Sequence, residues 1–189
     1  IILSREKKNY CHIGILSAMP EEVGIILDNL ESIKSSKFGD LELFSGKFTL
    51  DNSEKVIITT GWSGWGKVSA SRATTRLLSL KINTLPVEIA IFTGVAGGVD
   101  KNLKQWDVIL ANALMQHDMD ASPLFGKHVI PALNSKEILP NSDLLKDIFK
   151  RLKKKLNQRR LSKFGSLYKG LIATGDMFIS DIKKIKQLS

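Results

Sequence analysis

Apolar runs of strand length alternate along this chain with runs whose apolar residues recur at helical spacing. The first strand-like run, "HIGIL", leads into a pattern that predicts a helix from residue 21 to about residue 33. The runs "LELFSGKFTL" and "KVIITTG" follow as a hairpin pair, and "GKVSASRATTRLLSL" places small and apolar residues on one side of a helix between Gly66 and Leu80. "VEIAIFTGVAGG" reads as a buried strand and "DVILANAL" as another. An irregular stretch from residue 116 to residue 140 precedes an amphipathic helix, in which Leu144, Leu145, Ile148, Leu152 and Leu156 recur behind Ser142 as N-cap. A last strand, "YKGLIATGD", runs into the closing "MFISDIKKIKQLS". This order predicts an α/β fold, a mixed central sheet flanked by helices on both faces, with ligand groups at strand ends. No repeat, low-complexity linker or break in composition marks a second domain, so a single domain is expected.

Composition adds to this picture at few points. A chain of 189 residues with 43% hydrophobic content is long enough to bury one sizeable core. No apolar run reaches the length of a membrane span. The sequence opens "IILSREKKNY" without an initiator Met, and Ile1 to Leu3 are too few for a signal peptide. A cytoplasmic location is the expectation, with export left open. Cys11 stands alone, and one thiol forms neither an internal disulfide nor a multi-thiolate metal site. Charge is more informative, because 28 Lys and Arg against 19 Asp and Glu leave a net +9. Seven of those basic residues, Lys150, Arg151, Lys153, Lys154, Lys155, Arg159 and Arg160, cluster without an acid in "KRLKKKLNQRR". The cluster reads either as a solvated helix end whose cations suit the C-terminal dipole, or as a patch for a glycosaminoglycan or other polyanion. No aromatic residue interleaves with it, so stacking on single-stranded bases has no support.

Three predicted strands end in glycine-bearing turns, "TTGWSGWGKV", "FTGVAGGV" and "ATGDMF", where the missing Cβ lets a backbone approach a ligand closely. "GVAGGV" lacks the G-x-G-x-x-G context and the acidic residue of a dinucleotide site, and "GWSGWGKV" misses Walker A spacing. With His12, His117 and His128 as the only histidines there is no His-Glu-x-x-His zinc motif, and no G-x-S-x-G elbow appears. His117, Asp118 and Asp120 in "QHDMDAS" read as hydrogen-bonded loop groups, so no metal site is expected. Glu21 and Glu22 stand at the mouth of the first strand in "GILSAMPEEV". They either offset the dipole of a helix N-terminus or supply a carboxylate base fixed on a rigid element.

In this order, "GILSAMPEE", "SGWGKV", "TGVAGG", "HDMD" and "GLIATGDMFI" resemble the 5′-methylthioadenosine/S-adenosylhomocysteine nucleosidases of the nucleoside phosphorylase superfamily. The resemblance starts at about residue 13, so residues 1–12 are expected to form an N-terminal extension and residues 13–189 a nucleoside phosphorylase-like domain. It implies a homodimeric α/β enzyme that hydrolyses the bond between adenine and a 5′-thio-substituted ribose, its small-molecule substrate, without a cofactor. On this pattern Glu22 is the water-activating glutamate and Glu21 is left to the helix. Met19 and Trp65 match residues near the ribose and 5′-thio group. Trp65 stands where the family usually has isoleucine, and either Trp62 or Trp65 is alternatively a packing residue. Val95, Ala96 and Gly97 match the turn along the nucleoside, with Val95 in place of a common serine. Phe178 matches the aromatic that stacks on adenine, its other reading being an ordinary core aromatic, and Ile179 offers backbone groups to the purine edge. The family pattern continues into a further strand with a glutamate for the ribose hydroxyls and an aspartate that protonates purine N7. Neither motif follows "FISDIKKIKQLS", so the C-terminal part and the leaving-group acid are expected to be absent from this sequence. Asp176 and Asp181 precede that strand and are no substitute; Asp176 is expected to cap or brace its turn.

Two rival functions remain at this level. A related nucleoside phosphorylase places arginines around phosphate, at positions held here by the neighbourhood of Glu22 and by Phe92, and a carboxylate repels that anion. Arg72 and Arg76 rescue the phosphorolytic reading only if they turn inward. The other rival is a polyanion-binding module that works through the basic stretch from residue 150 to residue 160.

Overall fold

The computed structural model describes residues 11–157, 163–181 and 183–185. Its contacts divide the chain into two compact units, the first ending at Ala96 and the second beginning at Gly97. In the first unit the opening apolar run forms β1 (His12–Ser17), and a 3-10 turn over Pro20–Glu22 leads into a short helix, α1 (Gly24–Asp28). Three strands then fold back on one another, β2 (Glu31–Phe38), β3 (Leu41–Thr49) and β4 (Lys55–Trp62). Helix α2 (Lys67–Ser79) follows, then a minimal hairpin of β5 (Lys81–Ile82) and β6 (Leu85–Pro86), then β7 (Ile89–Phe92). One mixed sheet runs β2-β3-β4-β1-β7, antiparallel from β2 to β4 and parallel where β1 lies between β4 and β7.

Alternation along β1 sorts the core of this unit into two layers. Leu16 packs with Leu41, Leu43, Ala73 and Leu77, and so faces α2. Ile15, on the opposite face, packs near Leu30, Val56 and Ile58 beside Ile26 and Leu27 of α1. The two helices therefore cover opposite faces of the sheet. A Cβ at Gly14 would stand 2.6 Å from Leu77 Cδ2, so the bare backbone there lets α2 settle onto β1. A polar row is buried on the same side: His12 bonds through Nδ1 to Leu85 O at 3.0 Å and through Nε2 to Thr59 Oγ1 at 2.7 Å. Thr59 Oγ1 also meets Ser45 Oγ at 2.7 Å. A carbonyl only accepts, so Nδ1–H donates to Leu85, Nε2 accepts from Thr59, and Thr59 accepts from Ser45.

The second unit contains β8 (Val108–Gln116), β9 (Glu137–Ile138), α3 (Ser142–Asn157) and β10 (Leu167–Thr174). Its sheet runs β10-β8-β9, with β10 parallel and β9 antiparallel to β8. Helix α3 packs on β10 and β8; Leu144, Leu145, Ile148, Leu152 and Leu156 are half-buried, and Lys150, Arg151, Lys153, Lys154 and Lys155 are exposed.

The α/β class and the mixed sheet agree with the sequence, while local features differ. The helix expected from residue 21 to about 33 ends at Asp28, and Ile33 lies in β2. Pairing with β3 decides the conformation of "ESIKSSKF", whose own pattern is mostly polar and exposed. The expected buried strand "VEIAIFTGVAGG" contracts to β7 at the sheet's edge, where Phe92 is 59% exposed. At the start of α3 the capping side chain is Asn141 rather than Ser142, because Asn141 Oδ1 accepts from the N–H groups of Asp143 and Leu144 at 3.1 and 3.0 Å. Arg159 and Arg160 of the basic cluster lie outside the described residues, as do residues 1–10 of the expected N-terminal extension. Among the described residues no helix is long and apolar enough to cross a membrane.

Candidate active site

Parallel strands bring their carboxyl ends to one side, and β4, β1 and β7 do so at one edge of the first unit's sheet. Backbone bonds tie the loops leaving them together. Ser63 N donates to Ser17 O at 2.9 Å, Gly64 N to Ala18 O at 3.1 Å and Thr93 N to Leu16 O at 2.9 Å. Glu22 turns into this junction. Its Oε2 accepts from the backbone N–H of Ala18 at 2.9 Å and of Met19 at 3.1 Å, and its Oε1 accepts from the N–H of Val95 at 2.9 Å.

The local sequence explains the pose. Pro20 starts the 3-10 turn with its preset φ, Met19 caps it, and Glu22, at the third position, reaches back to the N–H of the cap. The helix-end role assigned from sequence to Glu21 therefore falls to Glu22 as well, and Glu21 is exposed. Gly94 supplies the space, since a Cβ there would lie 2.7 Å from Glu22 Oε1 and 3.0 Å from its Cδ. Sequence reasoning took Gly94 only as part of a glycine-bearing turn at a ligand pocket, and not as the space that Glu22 occupies. The three N–H donors fix the carboxylate's orientation and leave a lone pair for one further donor, such as a water.

Met19, Glu22, Trp65, Val95 and Ala96 belong to the first unit, and Gly97, Phe178 and Ile179 to the second. Trp62 stacks on Phe44 with ring centroids 6.1 Å apart, whereas Trp65 is 71% exposed, so the packing tryptophan is Trp62. Val95 is exposed beside the amide that it gives to Glu22. Arg72 grips Asp40 through both guanidinium nitrogens at 2.6 and 3.0 Å, and holds that carboxyl below the usual range. Arg76 lies over the Phe38 ring at 5.1 Å. Both arginines are thus engaged around the turn between β2 and β3, and the condition for the phosphorolytic reading is not met.

In the second unit, the loop after β8 docks on the turn after β10. His117 N donates to Thr174 O at 3.0 Å, and Asp118 Oδ2 accepts from Asp176 N at 2.8 Å. Asp120 Oδ1 accepts from Ser122 N at 3.0 Å, and hydrogen bonding from Ser122 draws its carboxyl below the ordinary range. Asp176 is accordingly braced by Asp118 through its own amide. Phe178 is 83% exposed and Ile179 half-buried, so the core-aromatic reading of Phe178 does not hold.

Residues 12–188 match the family model of the Phosphorylase superfamily. Over 172 residues the chain is 33% identical to a 5′-methylthioadenosine/S-adenosylhomocysteine nucleosidase of Staphylococcus haemolyticus, covering 90% of this chain and 67% of that protein. The chain belongs to this nucleosidase family. A second nucleosidase, of Haemophilus influenzae, is 33% identical over 177 residues, with 93% of this chain and 69% of that protein covered. The nucleosidase fold is equally evident in three dimensions. A crystal structure from Colwellia psychrerythraea in complex with adenine matches with a TM-score of 0.76 at 29% identity, over 95% of this chain and 68% of that one. The chain spans about two thirds of the length of the nucleosidases it matches.

Proposed function

We propose that the protein to which this sequence belongs hydrolyses the N-glycosidic bond of 5′-methylthioadenosine and S-adenosylhomocysteine, releasing adenine and the thio-substituted ribose. The observation that carries the reading is the Glu22 carboxylate, oriented by three backbone N–H groups where parallel strands end. Glu22 takes a proton from water as its oxygen bonds to C1′; the C1′–N9 bond breaks, its electron pair leaves with adenine, and adenine takes a proton at N7 from the acid that the family resemblance implies and that residues 1–189 do not supply by pattern. Met19 and Trp65 border the ribose and the 5′-thio group, and their apolar surfaces suit a thioether better than a hydroxyl. Val95, Ala96 and Gly97 run along the nucleoside. Phe178 stacks on adenine, a contact worth roughly 1–3 kcal/mol, and Ile179 offers its backbone to the purine edge. The reading calls for no cofactor.

The decisive experiment follows adenine release from 5′-methylthioadenosine with and without phosphate, in the longest expressed form of the protein and in Glu22→Gln. Release independent of phosphate, falling by roughly 10²–10⁴-fold in the variant, is expected for a positioned base. A requirement for phosphate would overturn hydrolysis in favour of phosphorolysis.

Two finer features belong to the same proposal. The protein acts as a homodimer, and the exposed cations Lys150, Arg151, Lys153, Lys154 and Lys155 on α3 form a surface for a polyanion.

A further inference from the structure

Strands β8 and β10 are pinned at both ends by one device. At their N-terminal ends Asp107 Oδ1 accepts from Ser166 N at 2.8 Å, and a Cβ on the preceding Gly165 would collide with that carboxylate. At their C-terminal ends Asp118 Oδ2 accepts from Asp176 N at 2.8 Å, and a Cβ on the preceding Gly175 would crowd the His117 ring and stand 2.9 Å from Asp118 Cγ. Each time an aspartate flanking β8 takes the amide that follows a glycine flanking β10, and the glycine makes the close approach feasible. The amide bonds of Lys104 and Ser166 hold the Asp107 carboxyl below its ordinary range, as expected of a charge-assisted contact.

The two clamps differ in what they lead to. Ser166 leads into β10, whereas Asp176 stands two residues before Phe178, which is 83% exposed. We propose that Asp118 is a positioning residue for base recognition: its carboxylate holds the turn from residue 175 to residue 179 so that Phe178 and Ile179 are presented in the geometry adenine requires. This rests on the reading of Phe178 and Ile179 as the adenine contacts.

The test measures adenine affinity by calorimetry, together with thermal melts, on the full chain and on Asp118→Ala, Asp118→Asn, Asp107→Ala and Phe178→Ala. Losing a hydrogen bond to a charged group is expected to weaken adenine binding by about tenfold or more in Asp118→Ala. Asp118→Asn, which keeps an acceptor oxygen, recovers most of that loss. Asp107→Ala removes the matching clamp at the far end and lowers the melting temperature without moving the affinity. Unchanged affinity in Asp118→Ala, or an equal loss in Asp107→Ala, overturns the proposal while a weakened Phe178→Ala keeps the adenine reading intact. Unchanged affinity in Phe178→Ala overturns that reading and the proposal with it. Should Asp118→Ala fail to fold, Asp118→Ser takes its place, its hydroxyl being too short to span to Asp176 N.

Discussion

At the scale of single residues, the site turns on what Gly94 lacks. Glu22 sits where any side chain at position 94 would have to be, since a Cβ there would come within 2.7 Å of its Oε1. Gly94→Ala is therefore expected to push the carboxylate off the Val95 amide while leaving the side chains of the sheet core untouched. Adenine release should fall by roughly 10²–10⁴-fold, as for loss of a positioned base, with a melting temperature close to that of the parent. A fully active Gly94→Ala would mean that the amide-bound pose of Glu22 is not the working one. The sequence made the carboxylate at a strand mouth legible, but not its surroundings. One of its donors, Val95 N, lies 73 positions downstream and becomes a neighbour only when β7 pairs with β1. Phe178 entered only through the family resemblance, and the clamp from Asp118 was not legible because it spans 58 positions.

At the scale of elements, helix α3 separates its faces cleanly. Leu152 and Leu156 are half-buried, while Lys150, Arg151, Lys153, Lys154 and Lys155 are exposed, so the cations hold no core contact that their removal would break. Replacing these five with glutamine should abolish salt-dependent retention on heparin and leave phosphate-independent adenine release unchanged. Equal retention by the variant would return the helix to a solvated surface. Such elements were readable because their periodicity is strong: α2, α3, β1 and the β3–β4 hairpin fall close to where the sequence put them. Strand β2 was not readable, because "ESIKSSKF" is an exposed edge strand without alternation, and only its partner β3 makes it a strand. The β5–β6 hairpin has two residues on each side, too few to carry any period.

At the scale of the molecule, the loops that close the Glu22 edge carry several exposed apolar side chains. Trp65 is 71% exposed, Val68 81%, Phe92 59% and Val95 81%, all on or next to the segments that follow β4 and β7. Exposed apolar side chains gathered near a site mark a surface that substrate, another chain or a further segment of the protein covers. Substrate accounts for Trp65 and Val95 in the proposed reading, but Val68 on the first turn of α2 has no such role, and a second copy of the protein is the occupant the family resemblance implies. Light scattering should then give twice the chain mass, and Val68→Asp, which adds a charge to an exposed position without touching the core formed by Ala73 and Leu77, should shift the protein toward monomer. If that variant loses activity together with dimerisation while remaining folded, the active unit is the pair. A monomer in the parent protein would overturn the assignment and leave Val68 an isolated surface valine.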